Sequence, residues 1–227
     1  MESKSAPDYG ASQRYLGSDG KDYFSWQGQH GNVNGNINAK KFRGTDFSNA
    51  TVVDFGAGNG SLLKAITAQR KIAVEVNPHA HEAIEANGIE FVPDLEKLPS
   101  GIADFVISNH ALEHVPYPIR ALQEINRVLK PGGTLLMYLP IDDWRTQKSY
   151  TADDINHHLN TWTPQLIGNC LAEAGFSFSP DDLKVVTHAW PPGFAKIYRY
   201  PGFDALCKAF AVVARRRQLS VTATKSP

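Results

Sequence analysis

The residues best placed to do chemistry begin at Val52-Val53-Asp54-Phe55-Gly56-Ala57-Gly58-Asn59-Gly60, an apolar run ending in a glycine turn. Glycines at alternate positions let backbone approach a ligand closely, and a helix opening directly behind them points its free amide groups at that ligand. A glycine-rich loop alone is shared by several cofactor sites, so the spacing has to discriminate. The nicotinamide fingerprint G-x-G-x-x-G wants Gly or Ala at its sixth position for close helix–strand packing. Ser61 stands there, and the pattern is instead G-x-G-x-G preceded by an aspartate. Asp54 is expected to cap the glycine turn and to position a ligand indirectly.

Acid–base chemistry near neutrality points to the eight histidines, because imidazole titrates at about 6.5. His157 and His158 lie in Asp153-Asp154-Ile155-Asn156-His157-His158-Leu159-Asn160-Thr161-Trp162-Thr163-Pro164. His158 is one candidate general base, its competing role being to clamp the surrounding loop. His110 is the rival base. Asp153, Asp154, His157 and His158 can be read as metal ligands, but adjacent histidines rarely converge on one ion, and no metal is expected. Trp144, Tyr150, Trp162 and Trp190 fall in the same region, able to stack on an acceptor but more often core. Glu113 and His114 are expected to staple the following helix, and Asp104, opening a strand, to bond neighbouring loop amides.

These groups need a scaffold, and from Thr51 onward apolar runs of strand length alternate with helical patterns, as βα repeats around a parallel sheet do. Strands are predicted at 51–55, 71–76, 89–92, 103–108, 134–139, 183–189 and 218–224, and helices at 61–69, 79–87, 118–130, from Thr163-Pro164 and at 203–216. Ile119, Leu122, Ile125, Val128 and Leu129 share one face of the third helix. Lys130-Pro131-Gly132-Gly133 stops it and turns the chain into the next strand. Residues 1–45 hold few aliphatics, with Tyr9, Tyr15, Tyr23, Phe24 and Trp26 among Gly, Asn and Ser. That composition reads as a flexible segment or lid, with Asn32, Asn34, Asn36 and Asn38 in a loop. Residues 46–227 form the catalytic domain, with insertions near 141–162 and 190–203. The Pro191-Pro192-Gly193 to Pro201-Gly202 stretch is expected to shape the acceptor entrance or a homodimer contact.

The glycine turn, Glu75 ending the second strand, Phe91-Val92-Pro93-Asp94-Leu95, the Ala103–Val115 segment and the order of all these resemble class I S-adenosylmethionine-dependent methyltransferases. The resemblance covers roughly residues 50–140 and, more loosely, the rest. It implies an α/β, Rossmann-like, doubly wound and mostly parallel seven-stranded sheet with an antiparallel last strand. It also implies S-adenosylmethionine as cofactor, with Glu75 accepting from both ribose hydroxyls, Asp94 from the adenine amino group, and Leu95 against the ring. The implied cofactor set is Asp54, Gly56, Ala57, Gly58, Gly60, Glu75, Val76, Asp94, Leu95 and Asn109. His158 matches the histidine that precedes an aromatic-Thr-Pro helix start in one branch of the family.

Charge narrows the acceptor, because 23 basic and 23 acidic residues cancel and leave no field to hold a polyanion. Ser108-Asn109-His110-Ala111 also stands where base-directed enzymes resemble one another in an Asn/Asp-Pro-Pro-aromatic turn, so nucleic acid is not an expected partner. Cys170 and Cys207 have no ligand spacing and suit a reducing compartment. No run of eighteen apolar residues exists, so no membrane partner and a cytoplasmic location are expected. The reading is O-methylation of a small-molecule acceptor, a saccharide or similar polar hydroxyl compound, with His158 or His110 as base. Its rivals are a cofactor-binding scaffold without turnover and a nicotinamide oxidoreductase.

Overall fold

The computed structural model describes residues 9–28, 31–142, 147–152, 154, 156–188 and 197–227. Its centre is β1 (Thr51–Phe55), whose Val52, Val53, Asp54 and Phe55 are all buried, as a strand covered on both faces requires. Parallel to it on one side lie β2 (Arg70–Val74) and then β3 (Glu90–Val92). On the other lie β4 (Ala103–Asn109) and β5 (Leu129–Pro140). Beyond β5 runs the antiparallel β8 (Arg217–Lys225), and its outer edge carries both β6 (Phe176–Ser177) and β7 (Leu183–Thr187). The sheet therefore has eight strands where seven are predicted. The two-residue β6 is too short for a periodic signal, and it shares with β7 a single edge position.

Alternation along the strands divides the core into two layers. Val53, Phe55 and Val106 point to the face covered by α5 (Pro118–Val128) and α6 (Pro164–Glu173). Val52, Ala73 and Ile107 point to the face covered by α3 (Ser61–Ala65) and α4 (His81–Glu85). The predicted Lys130–Gly133 stop sits inside β5, with Gly132 at φ +75° and a register shift between the Ala103 and Phe105 pairings. α5 accordingly ends two residues sooner than predicted, and Ile119 is exposed while Ala121 joins the buried stripe. α3 and α4 are single turns, because Ile66 is already extended and a short turn at 78–80 precedes α4.

Within the segment predicted as a flexible segment or lid with a loop at Asn32–Asn38, the chain forms α1 (Gly17–Gly28) and α2 (Gly31–Ala39). The asparagine-glycine composition disfavours a helix in isolation, and tertiary contact reverses it. A Cβ at Gly35 would stand 2.2 Å from the Ser61 carbonyl oxygen, so only glycine lets α2 lie against the start of α3. Ile37 packs with Phe203 and Cys207 of α7 (Phe203–Val213). Tyr9 and Tyr15 are buried as well, whereas the side chains of Tyr23, Trp26 and Asn32 lie outside the described residues. Cys207 is buried and Cys170 half-buried, both free. Among the described residues no helix is long and apolar enough to cross a membrane.

Candidate active site

Chain order runs outward from β1 to β3 and then returns to β4 beside β1, so the connections diverge at the carboxyl ends of β1 and β4 and open a crevice there. Gly56, Gly58 and Gly60 form the turn at its floor with φ of +76°, +55° and +74°, conformations that disfavour L side chains. A Cβ at Gly56 would stand 2.3 Å from the Ala111 Cβ. Two cavities meet at this turn. One, of about 630 Å³, is lined by Tyr9, Tyr15, Glu75, Val76, His110 and His114 among others, and the other, of about 500 Å³, by Asn34, Asn38, Asp54, Gly58, Asn59 and Asn109 among others.

Glu75 joins the halves. Its Oε2 accepts the Gly58 N–H at 2.8 Å and its Oε1 the Asn77 N–H at 2.9 Å, and burial raises its pKa against those bonds. The glycine turn is thus braced by the residue predicted to grip a sugar, and no described bond ties Asp54 to the turn amides. Asp54 instead lines the second cavity, its pKa pushed up to about 8 by burial and the nearby Glu75 charge. Gly56, Ala57, Gly58 and Asn109 line it too, and Val76 lines the first. Gly60, Asp94 and Leu95 are the exceptions, lining neither cavity. Asp94 caps a turn through the Lys97 N–H at 3.2 Å, Leu95 is fully buried, and Tyr9, itself on the cavity wall, accepts the Leu95 N–H at 3.2 Å. Asp104 behaves as expected, accepting the Thr51 N–H at 2.8 Å and Lys130 Nζ at 2.6 Å.

Beyond the turn lies a polar basin built from stretches far apart in the chain. His110 directly follows β4 in the left-handed region at φ +56°, an uncommon conformation for a non-glycine residue that concentrates at functional sites. Its Nε2 faces Gln218 Oε1 at 3.1 Å and its Nδ1 Glu113 Oε1 at 3.9 Å, and burial, with Lys41 and His188 nearby, holds its pKa well below 6.5. His158 Nδ1 meets the Asp142 carboxylate at 2.9 Å, which with the Glu113 charge raises the imidazole pKa against its partial burial. The His158 ring meets His114 edge-on at 5.0 Å, and His114 Nδ1 lies 2.7 Å from Tyr15 Oη. The loop carrying His158 is pinned by Leu159 and Asn160, whose N–H groups donate to the Glu113 carbonyl at 2.8 and 3.1 Å. His157 touches this cluster through its backbone, its carbonyl 3.5 Å from His114 Nδ1 and its amide held by Asp154. Asp153, Trp144 and Trp190 lie outside the described residues, Trp162 is core, and Tyr150 is exposed.

Several members of the basin are not predicted from sequence as site residues, Asp142, Gln218, Glu113, His114 and Lys41 among them. Glu113 and His114 do not staple α5, which starts at Pro118 without a side-chain cap; Glu113 is fully buried, its pKa pushed up to about 8 by desolvation. Lys41, from the segment before β1, donates to Asn109 Oδ1 at 2.6 Å and Gln218 Oε1 at 3.2 Å. Burial pushes its pKa from 10.5 down to about 7. Between these values the unfolded chain holds a proton that the folded chain has released, so the ammonium's penalty is full below about pH 7 and fades as pH rises toward 10. Lys41→Met is therefore expected to be more stable than the parent protein by a margin largest near pH 6 and shrinking toward pH 10. Urea midpoints of both proteins at the two ends check this, and a pH-independent margin would contradict it.

A glycine turn braced by the acid just past the next strand lies at the divergence point of a doubly wound sheet, the place where such sheets bind ligands. Residues 36–178 match the family model described as a methyltransferase domain. The chain belongs to the methyltransferase-domain family. S-adenosylmethionine is the cofactor, and the site fits it: the turn leaves Gly58 and its neighbours close to the ligand space, and the Glu75 carboxylate stands on the cavity wall. This methyltransferase is 30% identical over 104 residues to the ubiquinone biosynthesis O-methyltransferase of Xanthomonas oryzae pv. oryzae, covering 40% of this chain and 44% of that one. It is 35% identical over 127 residues to the ribosomal protein L11 methyltransferase of Vibrio campbellii, covering 50% and 39%. The chain thus spans less than half the length of these curated relatives. Among solved structures it resembles the methyltransferase bound to the Haloferax volcanii Trm112 activator, with a TM-score of 0.67 at 19% identity over 91% of this chain and 98% of that one.

Proposed function

We propose that this methyltransferase acts on a hydroxyl oxygen of a polar small molecule, a saccharide being the preferred class. The observation that carries this is the His158–Asp142 pair at 2.9 Å, set edge-on to the cavity-lining His114. A hydroxyl must lose its proton as its oxygen takes the methyl group, whereas a neutral amine attacks without a base. When bound, S-adenosylmethionine supplies an electrophilic methyl carbon on a sulfonium sulfur. The chain's share is to aim the acceptor oxygen in line behind that carbon, exclude water and receive the proton. Asp142 holds His158 by Nδ1 and leaves Nε2 to accept, the arrangement by which a carboxylate orients an imidazole base. His110, kept neutral by burial, is the second group able to take the proton. Lys41, Asn109 and Gln218 add hydrogen-bonding groups beside the basin, which suits an acceptor rich in hydroxyls.

The test is incubation with methyl-labelled S-adenosylmethionine and separate panels of sugars and nucleotide sugars, phenols, and primary amines, with products located by mass spectrometry. Label on sugar oxygen is expected. Label on phenols alone removes the saccharide class, label on nitrogen alone overturns hydroxyl transfer, and cofactor binding without any product makes the chain a scaffold.

A further inference from the structure

We infer that Glu113, His114 and His158 form a binding site for a divalent transition-metal ion of the zinc type. The inference rests on the acceptor basin proposed above and changes how the acceptor loses its proton. Its starting point is Glu113, a fully buried carboxylate neither of whose oxygens has a hydrogen-bond partner among the described residues. An unpaired carboxylate taken out of water costs several kcal/mol, so a proton or a cation must accompany it. The atoms around it are imidazole nitrogens: His114 Nε2 is 3.7 Å and His110 Nδ1 3.9 Å from Glu113 Oε1.

One donor atom each from Glu113, His114 and His158 lies within 4.8 Å of the others. Zinc bonds of about 2.0–2.2 Å in tetrahedral array place neighbouring donors roughly 3.4 Å apart, so the set has to contract by about an ångström. Both imidazoles already have their other nitrogen occupied, His114 Nδ1 by Tyr15 Oη at 2.7 Å and His158 Nδ1 by Asp142 at 2.9 Å. Such outer contacts fix the orientation of metal-ligating histidines and raise their basicity. The Glu113 and Asp142 carboxylates supply two negative charges against a doubly charged ion. Two imidazoles and a carboxylate favour zinc, iron or cobalt over magnesium and calcium, which prefer all-oxygen shells. A fourth position would face the cavity that His114 lines, where a hydroxyl on the ion would lose its proton more readily. His158 Nε2 would then hold the ion, and the proton would pass to solvent or His110.

The probe is the metal alone. Chelator-stripped protein is titrated with Zn2+ by calorimetry and with Co2+ by visible absorption. One ion per chain is expected, with a cobalt d–d band and no response to Mg2+. Glu113→Gln and His158→Ala should each weaken zinc binding at least 100-fold and abolish the band, and Asp142→Asn should weaken it about tenfold. His81→Ala, removing an exposed histidine paired with Glu85, should change nothing, and far-UV circular dichroism checks that each variant is folded. Zinc binding absent from the parent protein, or unaltered in folded His158→Ala, overturns the site. Stripped enzyme that methylates hydroxyls at full rate without binding zinc overturns the metal and leaves His158 as base. Zinc binding without methylation of any hydroxyl overturns the proposed function and leaves the metal site standing.

Discussion

Glu75→Ala is expected to weaken binding of S-adenosylmethionine and of its demethylated product about 100-fold while the protein stays folded. Two effects add. The carboxylate accepts the Gly58 and Asn77 amides at 2.8 and 2.9 Å, so its removal frees the glycine turn that must be in place before a ligand docks. Its oxygens also stand on the cavity wall, where the resemblance assigns them the two sugar hydroxyls. Hydrogen bonds to a charged group contribute roughly 1.5–3 kcal/mol each, and two at the lower end give about 3 kcal/mol, or two orders of magnitude in affinity. The fold should survive, because Glu75 lies beyond the paired residues of β2 and its loss removes a carboxylate that burial already disfavours. Calorimetry with the demethylated product measures the effect. A dissociation constant within threefold of the parent value would show that the acid ending β2 does not hold the cofactor.

His158→Ala combined with His110→Ala is expected to lower kcat by at least 1000-fold and to leave cofactor affinity within threefold. A positioned acid or base is worth about 100- to 10,000-fold, and the double replacement removes both groups able to take the acceptor proton. Neither imidazole bonds the glycine turn or Glu75: His158 is held by Asp142 and His110 by Gln218. Turnover and cofactor binding should therefore separate cleanly. His158→Ala alone should cost most of the rate whether its free nitrogen takes the proton or holds an ion, and zinc titration distinguishes the two. Rates within tenfold of the parent for the double variant would show that no histidine of this basin serves the chemistry.

The glycine turn was legible in sequence because its determinants are local. A positive-φ turn demands glycine wherever it occurs, and Gly56, Gly58 and Gly60 announce it. Strands buried on both faces read as apolar runs, so β1 and β4 are found nearly to the residue. Asp94 and Leu95 carry the right pattern, but the pattern is blind to Tyr9, which reaches them from 86 residues away and holds the Leu95 amide. The same blindness hides α2, whose composition argues against a helix until the surface it packs on is known.

Sequence by itself determined the doubly wound sheet, the glycine turn and the acid that braces it, since backbone conformation and burial period are written in neighbouring residues. Only the tertiary structure decided the acceptor side. Lys41 meets Gln218 across 177 positions and Tyr15 meets His114 across 99, and Glu113 has no distinguishing spacing at all. The physical reason is that desolvation belongs to a place in the fold: the carboxylate of residue 113 becomes a strong ligand candidate only once the chain has shut water out around it and carried imidazoles from two elements to its side.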